Sequence, residues 1–195
     1  MSGGAGRRLL AGVGRRRALA AACAAGAAVA VLLAVLATRS VAPGSAAATA
    51  LGGKPAPAIS GRSVTSGKAV TLAALHGRYV VVTFFASWCQ PCQQEVPALA
   101  AFLWSHRDAT GAGRVAVLGV VFQDSAANAR SFLDGAGATW PAVTDPSGSI
   151  AYAYGVADPP QSFLVGPDGD VVGHYDGELT EHYLEDWVGA AQAVQ

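Results

Sequence analysis

Tyr79-Val80-Val81-Val82-Thr83-Phe84-Phe85-Ala86-Ser87-Trp88-Cys89-Gln90-Pro91-Cys92 is the stretch on which the reading of this chain turns. Its first seven residues are β-branched or aromatic throughout, too short and too continuous for an amphipathic helix. That is the pattern of a strand buried on both faces. Two cysteines separated by two residues follow it, which places the chemistry at the strand's C-terminal end. Pro91 suits the first turn of a helix, where its missing N–H would have had no intrahelical partner. Cys89 is then expected to cap that helix.

Working outward, the helix after Pro91 carries Val96, Leu99, Phe102, Leu103 and His106 on one stripe at helical spacing. Pro97 interrupts it: the ring removes the bond to the carbonyl of Gln93 and is expected to kink the helix. Residues 115–122 read as a second buried strand. Asp124 or Ser125 caps a helix to about Asp134, stopped by Gly135 and Gly137. Together these make a β-α-β-α unit with parallel strands. After the Asp145-Pro146-Ser147-Gly148 turn comes a short helical turn over residues 150–154. Residues 161–165 and 170–175 flank Gly166-Pro167-Asp168-Gly169 as an antiparallel hairpin. A last helix over 178–193 is expected to hold Glu178 and Glu181 in its first turn, where the helix dipole favours acids.

The front of the chain is different in kind. Residues 1–17 hold five arginines and no acid, and residues 18–38 then carry no charge at all. At ~1.5 Å per residue such a run spans about 30 Å, the thickness of a bilayer core. The arginines orient it with the N-terminus in the cytoplasm and the remainder outside. Two readings stay open: a retained transmembrane anchor, or a signal segment cleaved near Ala46-Ala47-Ala48, which would leave a secreted domain. Residues 39–53, rich in Ala, Ser and Gly, read as a flexible linker. The domain proper is then 54–195. It holds seven basic residues against all thirteen acidic ones, a net charge of −6, and no Lys or Arg follows Arg130. Nucleic-acid binding is excluded on that ground.

Cys23 falls in the apolar segment and reads as a small hydrophobe there. The exported domain keeps Cys89 and Cys92, which an oxidising compartment permits to pair. A loop this short staples almost nothing, since entropic stabilisation grows with loop length. The pair is therefore read as reactive. A Cys-x-x-Cys also supplies half of many zinc sites, but no further exported cysteine exists, and His76, His106, His174 and His182 lack ligand spacing. No metal and no cofactor beyond the redox pair is expected.

Trp88-Cys89-Gln90-Pro91-Cys92 with Pro97 five residues on, Tyr154-Gly155-Val156, the segment from Pro160 to Val165 and the Pro167-Asp168-Gly169 turn resemble the thioredoxin superfamily. The resemblance is closest to its membrane-tethered, extracytoplasmic TlpA/ResA/DsbE-like branch. It covers roughly residues 54–194, and the insert-sized stretch 123–154 and Glu95 favour that branch over ordinary thioredoxin. The resemblance implies a three-layer α/β fold with a central mixed sheet and a thiol-disulfide oxidoreductase activity. It makes Cys89 the exposed attacking thiol, Cys92 the buried resolving one and Pro160 the cis-proline beside them. Glu95, read from the residues alone as a solvated first-turn acid, becomes by resemblance a partly buried carboxylate that tunes the thiols. Trp88, Pro91 and Pro159 are the candidate substrate-contacting residues, Trp88 as a packing and lid residue. Pro159 departs from the pattern, because it has no N–H to offer an extended substrate. The job that the resemblance implies is reduction of disulfides in protein substrates such as apocytochrome c, with electrons from a membrane donor protein. Disulfide installation in secreted proteins and a non-catalytic binding or metallochaperone role are the competing readings.

Overall fold

The computed structural model describes residues 26, 27, 31, 50–110 and 114–194. The chain divides into Met1–Ala42 and Pro43–Gln195, and the fold below is that of the second unit. The expected basic segment, membrane segment and most of the linker lie outside the described residues. Among the described residues no helix is long and apolar enough to cross a membrane.

Strand β3 (Tyr79–Phe85) is buried at every residue, as its uninterrupted apolar run requires. Its side chains alternate between two cores. Tyr79, Val81 and Phe85 join one that includes Val96, Leu99, Phe102, Leu184 and Val188, while Val80, Val82 and Phe84 join another with Ile59, Leu72, Tyr154 and Phe163. Each fully buried Val or Phe contributes roughly 1.5–3 kcal/mol, which makes β3 the centre of the fold energetically as well as spatially. Parallel to β3 runs β4 (Val115–Val121), and antiparallel on its other side runs β6 (Gln161–Val165). β5 (Ala142–Thr144) and β7 (Val171–Asp176) complete a mixed five-stranded sheet of order β5-β4-β3-β6-β7.

Helices α1 (Gln90–Ser105), α2 (Ala126–Gly135) and α4 (Glu181–Ala193) supply side chains to the first core, and α3 (Ser149–Tyr154) to the second. The result is the three-layer α/β arrangement expected. A small hairpin of β1 (Ser60–Arg62) and β2 (Ala69–Thr71) leads into a 3-10 turn at Leu72–Leu75. Gly119 in β4 has a steric reason: a Cβ there would sit 2.8 Å from Phe85 Cε1 and 2.9 Å from Ala142 Cβ.

Two expectations need correction, and two strands had not been foreseen. α1 runs unbroken through Pro97, so the proline does not interrupt it. The last helix starts at Glu181 and not at Glu178, because Thr180 Oγ1 accepts from Tyr183 N at 3.2 Å and so caps it. Glu178 therefore lies before the helix. β1 and β5 carried no strand signal strong enough to read: each is three residues long and acquires its strand character from its neighbour. The hairpin after Pro160 forms as expected, with a bulge between Leu164 and Val165.

Candidate active site

Cys89 occupies the N-cap of α1, with extended backbone angles, and Pro91 sits in the first turn. The Cys89 Sγ accepts from Cys92 N at 3.2 Å, and the two cysteines are joined as a disulfide. A thiolate at Cys89 would thus face the unsatisfied N–H groups of a helix start, the environment that lowers a thiol pKa. Both residues are buried in the disulfide form, Cys89 at 4% exposure and Cys92 at 1%. The expected exposure of Cys89 is corrected accordingly: with its sulfur bonded to Cys92 and folded over the helix start, only a small edge stays open. Trp88 beside it is 57% exposed, and its indole N–H donates to Gln123 O at 3.4 Å.

Glu95, one turn further along α1, is 2% exposed and so is not a solvated first-turn acid. The Thr83 hydroxyl donates to its Oε1 at 2.8 Å, and Leu179 N donates to its Oε2 at 3.3 Å. Burial pushes its pKa up to about 7; the bonds from Thr83 and Leu179 pull down against this and the nearby Glu178 carboxylate adds a small push upward. The Ser162 hydroxyl exerts the weakest pull. It is wholly buried, lies opposite Thr83 in register and makes no hydrogen bond of normal geometry.

The Pro159–Pro160 peptide is cis. Pro160 is buried, its carbonyl accepts from Gly177 N at 3.0 Å, and the pair leads directly into Gln161, which is in register with Phe84. The proline loop and the cysteine loop thus meet at the same end of the sheet. Pro91 is exposed and Pro159 half-buried.

Sequence reasoning treated Asp124 only as a possible helix cap. Ser125 takes that role, its hydroxyl accepting from Asn128 N at 3.1 Å. Asp124 instead clamps the turn before the disulfide. Its Oδ2 accepts from Ser87 N at 2.8 Å, and its Oδ1 accepts from Ser125 N at 2.7 Å and Asn128 Nδ2 at 3.1 Å. Burial raises its pKa somewhat, but the bonds from Ser87, Asn128 and Ser125 outweigh that and hold it below 3.8. Gln123 before it has a positive φ of 45°, a conformation uncommon for a side-chain-bearing residue. An acid just past the end of a buried strand was the available signal, but its partner lies 37 residues away in sequence.

A strand that delivers a cysteine pair to a helix N-terminus, with a buried carboxyl behind and a proline loop beside it, is a site for thiol-disulfide chemistry. The chain matches the family model described as AhpC/TSA over residues 52–174. The chain belongs to this family. Among its relatives, the thiol-disulfide oxidoreductase ResA of Bacillus subtilis is 32% identical over 64% of this chain and 67% of its own length. The thiol:disulfide interchange protein CycY of Rhizobium leguminosarum is 34% identical over 60% of each. HelX of Rhodobacter capsulatus, also a thiol:disulfide interchange protein, is 32% identical over 70% of this chain and 74% of its own. Among solved structures, the thioredoxin domain of a thiol-disulfide oxidoreductase from Bacteroides vulgatus superposes with a TM-score of 0.62 at 25% identity, covering 71% of this chain and 96% of that one. A DsbE-type thiol:disulfide interchange protein from Chlorobium tepidum gives 0.64 at 29%, covering 72% and 96%. The fold is thioredoxin-like, and the protein is a thiol-disulfide oxidoreductase.

Proposed function

We propose that this oxidoreductase runs in the reducing direction outside the cytoplasmic membrane. It is held there by residues 18–38, with disulfides of apocytochrome c as its substrate class and a membrane electron-donor protein as its source of electrons. In that cycle the Cys89 thiolate attacks a substrate disulfide, forming a mixed disulfide and releasing one substrate thiolate. The Cys92 thiolate then attacks the Cys89 sulfur, releasing the second substrate thiol and restoring the Cys89–Cys92 bond. Two electrons pass to the substrate, and the donor protein returns two to the pair.

The observation that carries the direction is the buried Glu95 carboxyl on the Cys92 side of α1, its pKa raised to about 7. Near neutral pH it is divided between its two protonation states, which suits it to take a proton from the resolving thiol and give it up again. Its negative form disfavours a neighbouring thiolate. A dithiol is a strong oxidant when its reduced form is stabilised, commonly by cations near the thiolate. No Lys or Arg occurs in residues 79–106. The helix start, worth about 0.3–1 kcal/mol and up to ~2 when partly buried, is opposed by Glu95. Pro160 and Trp88 border the disulfide as the surfaces that a substrate meets, with Pro91 beside them. Pro159, lacking an N–H, offers a paired substrate strand one donor fewer.

Equilibration with glutathione and dithiothreitol buffers tests this reading. A potential nearer about −270 mV than about −120 mV is expected. A value at the oxidising limit would reverse the direction and favour disulfide installation.

A further inference from the structure

A buried hydroxyl beside Glu95 has no settled partner. Ser162 on β6 is fully buried, and its Oγ makes no hydrogen bond of normal geometry to any described residue. The residues that follow it in the strand, Phe163, Leu164 and Val165, are apolar and equally buried. Leaving a buried hydroxyl unsatisfied is costly, and alanine would occupy this strand position without that cost. Packing alone does not account for the serine.

Ser162 is in register with Thr83 on β3 and with Tyr175 on β7, so the three side chains stand in one row on the face of the sheet that α1 and α4 cover. Directly opposite residues of neighbouring strands hold their Cβ atoms about 4.5–5.5 Å apart, within reach of a hydrogen bond between hydroxyls. Glu95 lies over this row: Thr83 donates to its Oε1 at 2.8 Å, and Leu179 N donates to its Oε2 at 3.3 Å. A carboxylate has about four lone-pair sites, so the ionised group still has room for the Ser162 O–H. The protonated group has the opposite need, because its new O–H must be accepted. Leu179 N can only donate, and Thr83 has its own proton to place if it turns to accept. Ser162 Oγ completes either arrangement, since a hydroxyl both donates and accepts and rotates to suit. The other titratable groups that face this pocket are Cys92 on α1, Tyr175 on β7 and Glu178 ahead of α4, whose carboxylate disfavours a second charge.

We propose that Ser162 is the positioning residue for the Glu95 proton: its hydroxyl donates to the carboxylate before the resolving step and accepts from the carboxylic acid after it. The proposal rests on the reading above that Glu95 exchanges a proton with Cys92, and it adds the group that makes both states of the buried carboxyl tenable. In the step itself the Cys92 S–H bond breaks and a Glu95 O–H bond forms. The Cys92 thiolate then attacks the Cys89 sulfur and expels the substrate thiolate. The new O–H points to Ser162 Oγ, directly or through Thr83 Oγ1. When the donor protein reduces the pair again, the proton returns from Glu95 to the Cys92 thiolate.

The test follows the Glu95 proton by infrared difference spectra of the oxidised full-length protein between about pH 5.5 and about pH 9. Ordinary carboxyls, with pKa near about 4, stay ionised over this range, whereas Glu95 changes state within it. The carboxylic C=O band that Glu95→Gln abolishes belongs to Glu95. In Ser162→Ala this band should move to higher wavenumber, because the acid has lost the acceptor of its O–H. Its midpoint should rise by about half a pH unit, roughly threefold in the ionisation constant, because the donation from Ser162 pulls the pKa down. Single-turnover reduction of a disulfide peptide by the reduced protein should slow about threefold at pH 7, with its pH profile displaced by about the same half unit. Ser162→Thr keeps the hydroxyl on a residue suited to a strand and should restore band, midpoint and rate. A Ser162→Ala variant with the wild-type band, midpoint and pH profile overturns the proposal while leaving Glu95 as the proton acceptor. So does a Ser162→Thr variant that behaves as the alanine one. If Glu95→Gln abolishes no band, the reading of Glu95 falls as well.

Discussion

Replacing Glu95 by Gln isolates the buried carboxyl. The substitution keeps the shape, and its amide can satisfy both neighbours: the carbonyl oxygen accepts from Leu179 N, and the NH₂ donates to the Thr83 hydroxyl, which turns to accept. What changes is the proton. In the folded protein the carboxyl titrates near 7, against 4.5 when unperturbed, so between those values the native state holds a proton that the unfolded chain has released. Stability from this group is therefore greatest below about pH 4.5, falls as the pH rises towards 7 and stays low above it. At 1.36 kcal/mol per pH unit the whole loss is roughly 3 kcal/mol. The assay is denaturant unfolding of the oxidised protein, followed by tryptophan fluorescence at pH 5 and pH 8. Relative to the wild type, Glu95→Gln should gain about 2–3 kcal/mol on moving from pH 5 to pH 8. Its thiols should also titrate lower and its disulfide become more oxidising, because the charge opposing the thiolate is gone. A wild-type-minus-variant difference that is flat across this range would show that Glu95 is ionised throughout, and the account of the site would fail with it.

Two further outcomes follow from the same geometry. In the reduced protein, brief iodoacetamide treatment with mass spectrometry should label Cys89 at least about tenfold faster than Cys92, because the helix-start position stabilises the thiolate and Cys92 is the more covered. Preferential labelling of Cys92 would exchange the two roles. Asp124→Asn should cost about 1 kcal/mol at pH 7: charge-assisted bonds to Ser87 N and Ser125 N are weakened, but the group is half-exposed and screened. Its pKa is depressed, so this stability is present above 3.8 and is lost as the pH falls through the depressed value. The unfolding midpoints of variant and wild type should therefore converge in strong acid, and a gap that persists there would refute the carboxylate as its source.

Much of the molecule was legible in local pattern. The strand Tyr79–Phe85, the second strand from Val115, the hairpin after Pro160 and the helix starting beside Cys89 each follow from a run of apolar residues and the residues that begin or end it. These signals are short-range: side-chain alternation, a proline in a first turn and a cap act over a few residues, so they survive without knowledge of the rest of the chain. The three-residue strands β1 and β5 have no such signal, and exist because a neighbouring strand presents its backbone groups to them. The start of α4 was misplaced for a related reason, since an acid at Glu178 looks as suitable for a first turn as one at Glu181 until Thr180 is seen to cap.

The sequence by itself determined that a reactive cysteine pair sits between a buried strand and a helix, because strand, turn and helix are contiguous and each is specified locally. Only the tertiary structure decided the electrostatics around that pair. Glu95 is an ordinary helix acid in sequence; its pKa rises because packing buries it, against the downward pull of hydrogen bonds from Thr83 and from Leu179, which arrives from 84 residues away. Asp124 reaches Ser87 across 37 residues. Burial and charge are sums over neighbours in space, and chain folding, not sequence proximity, chooses those neighbours.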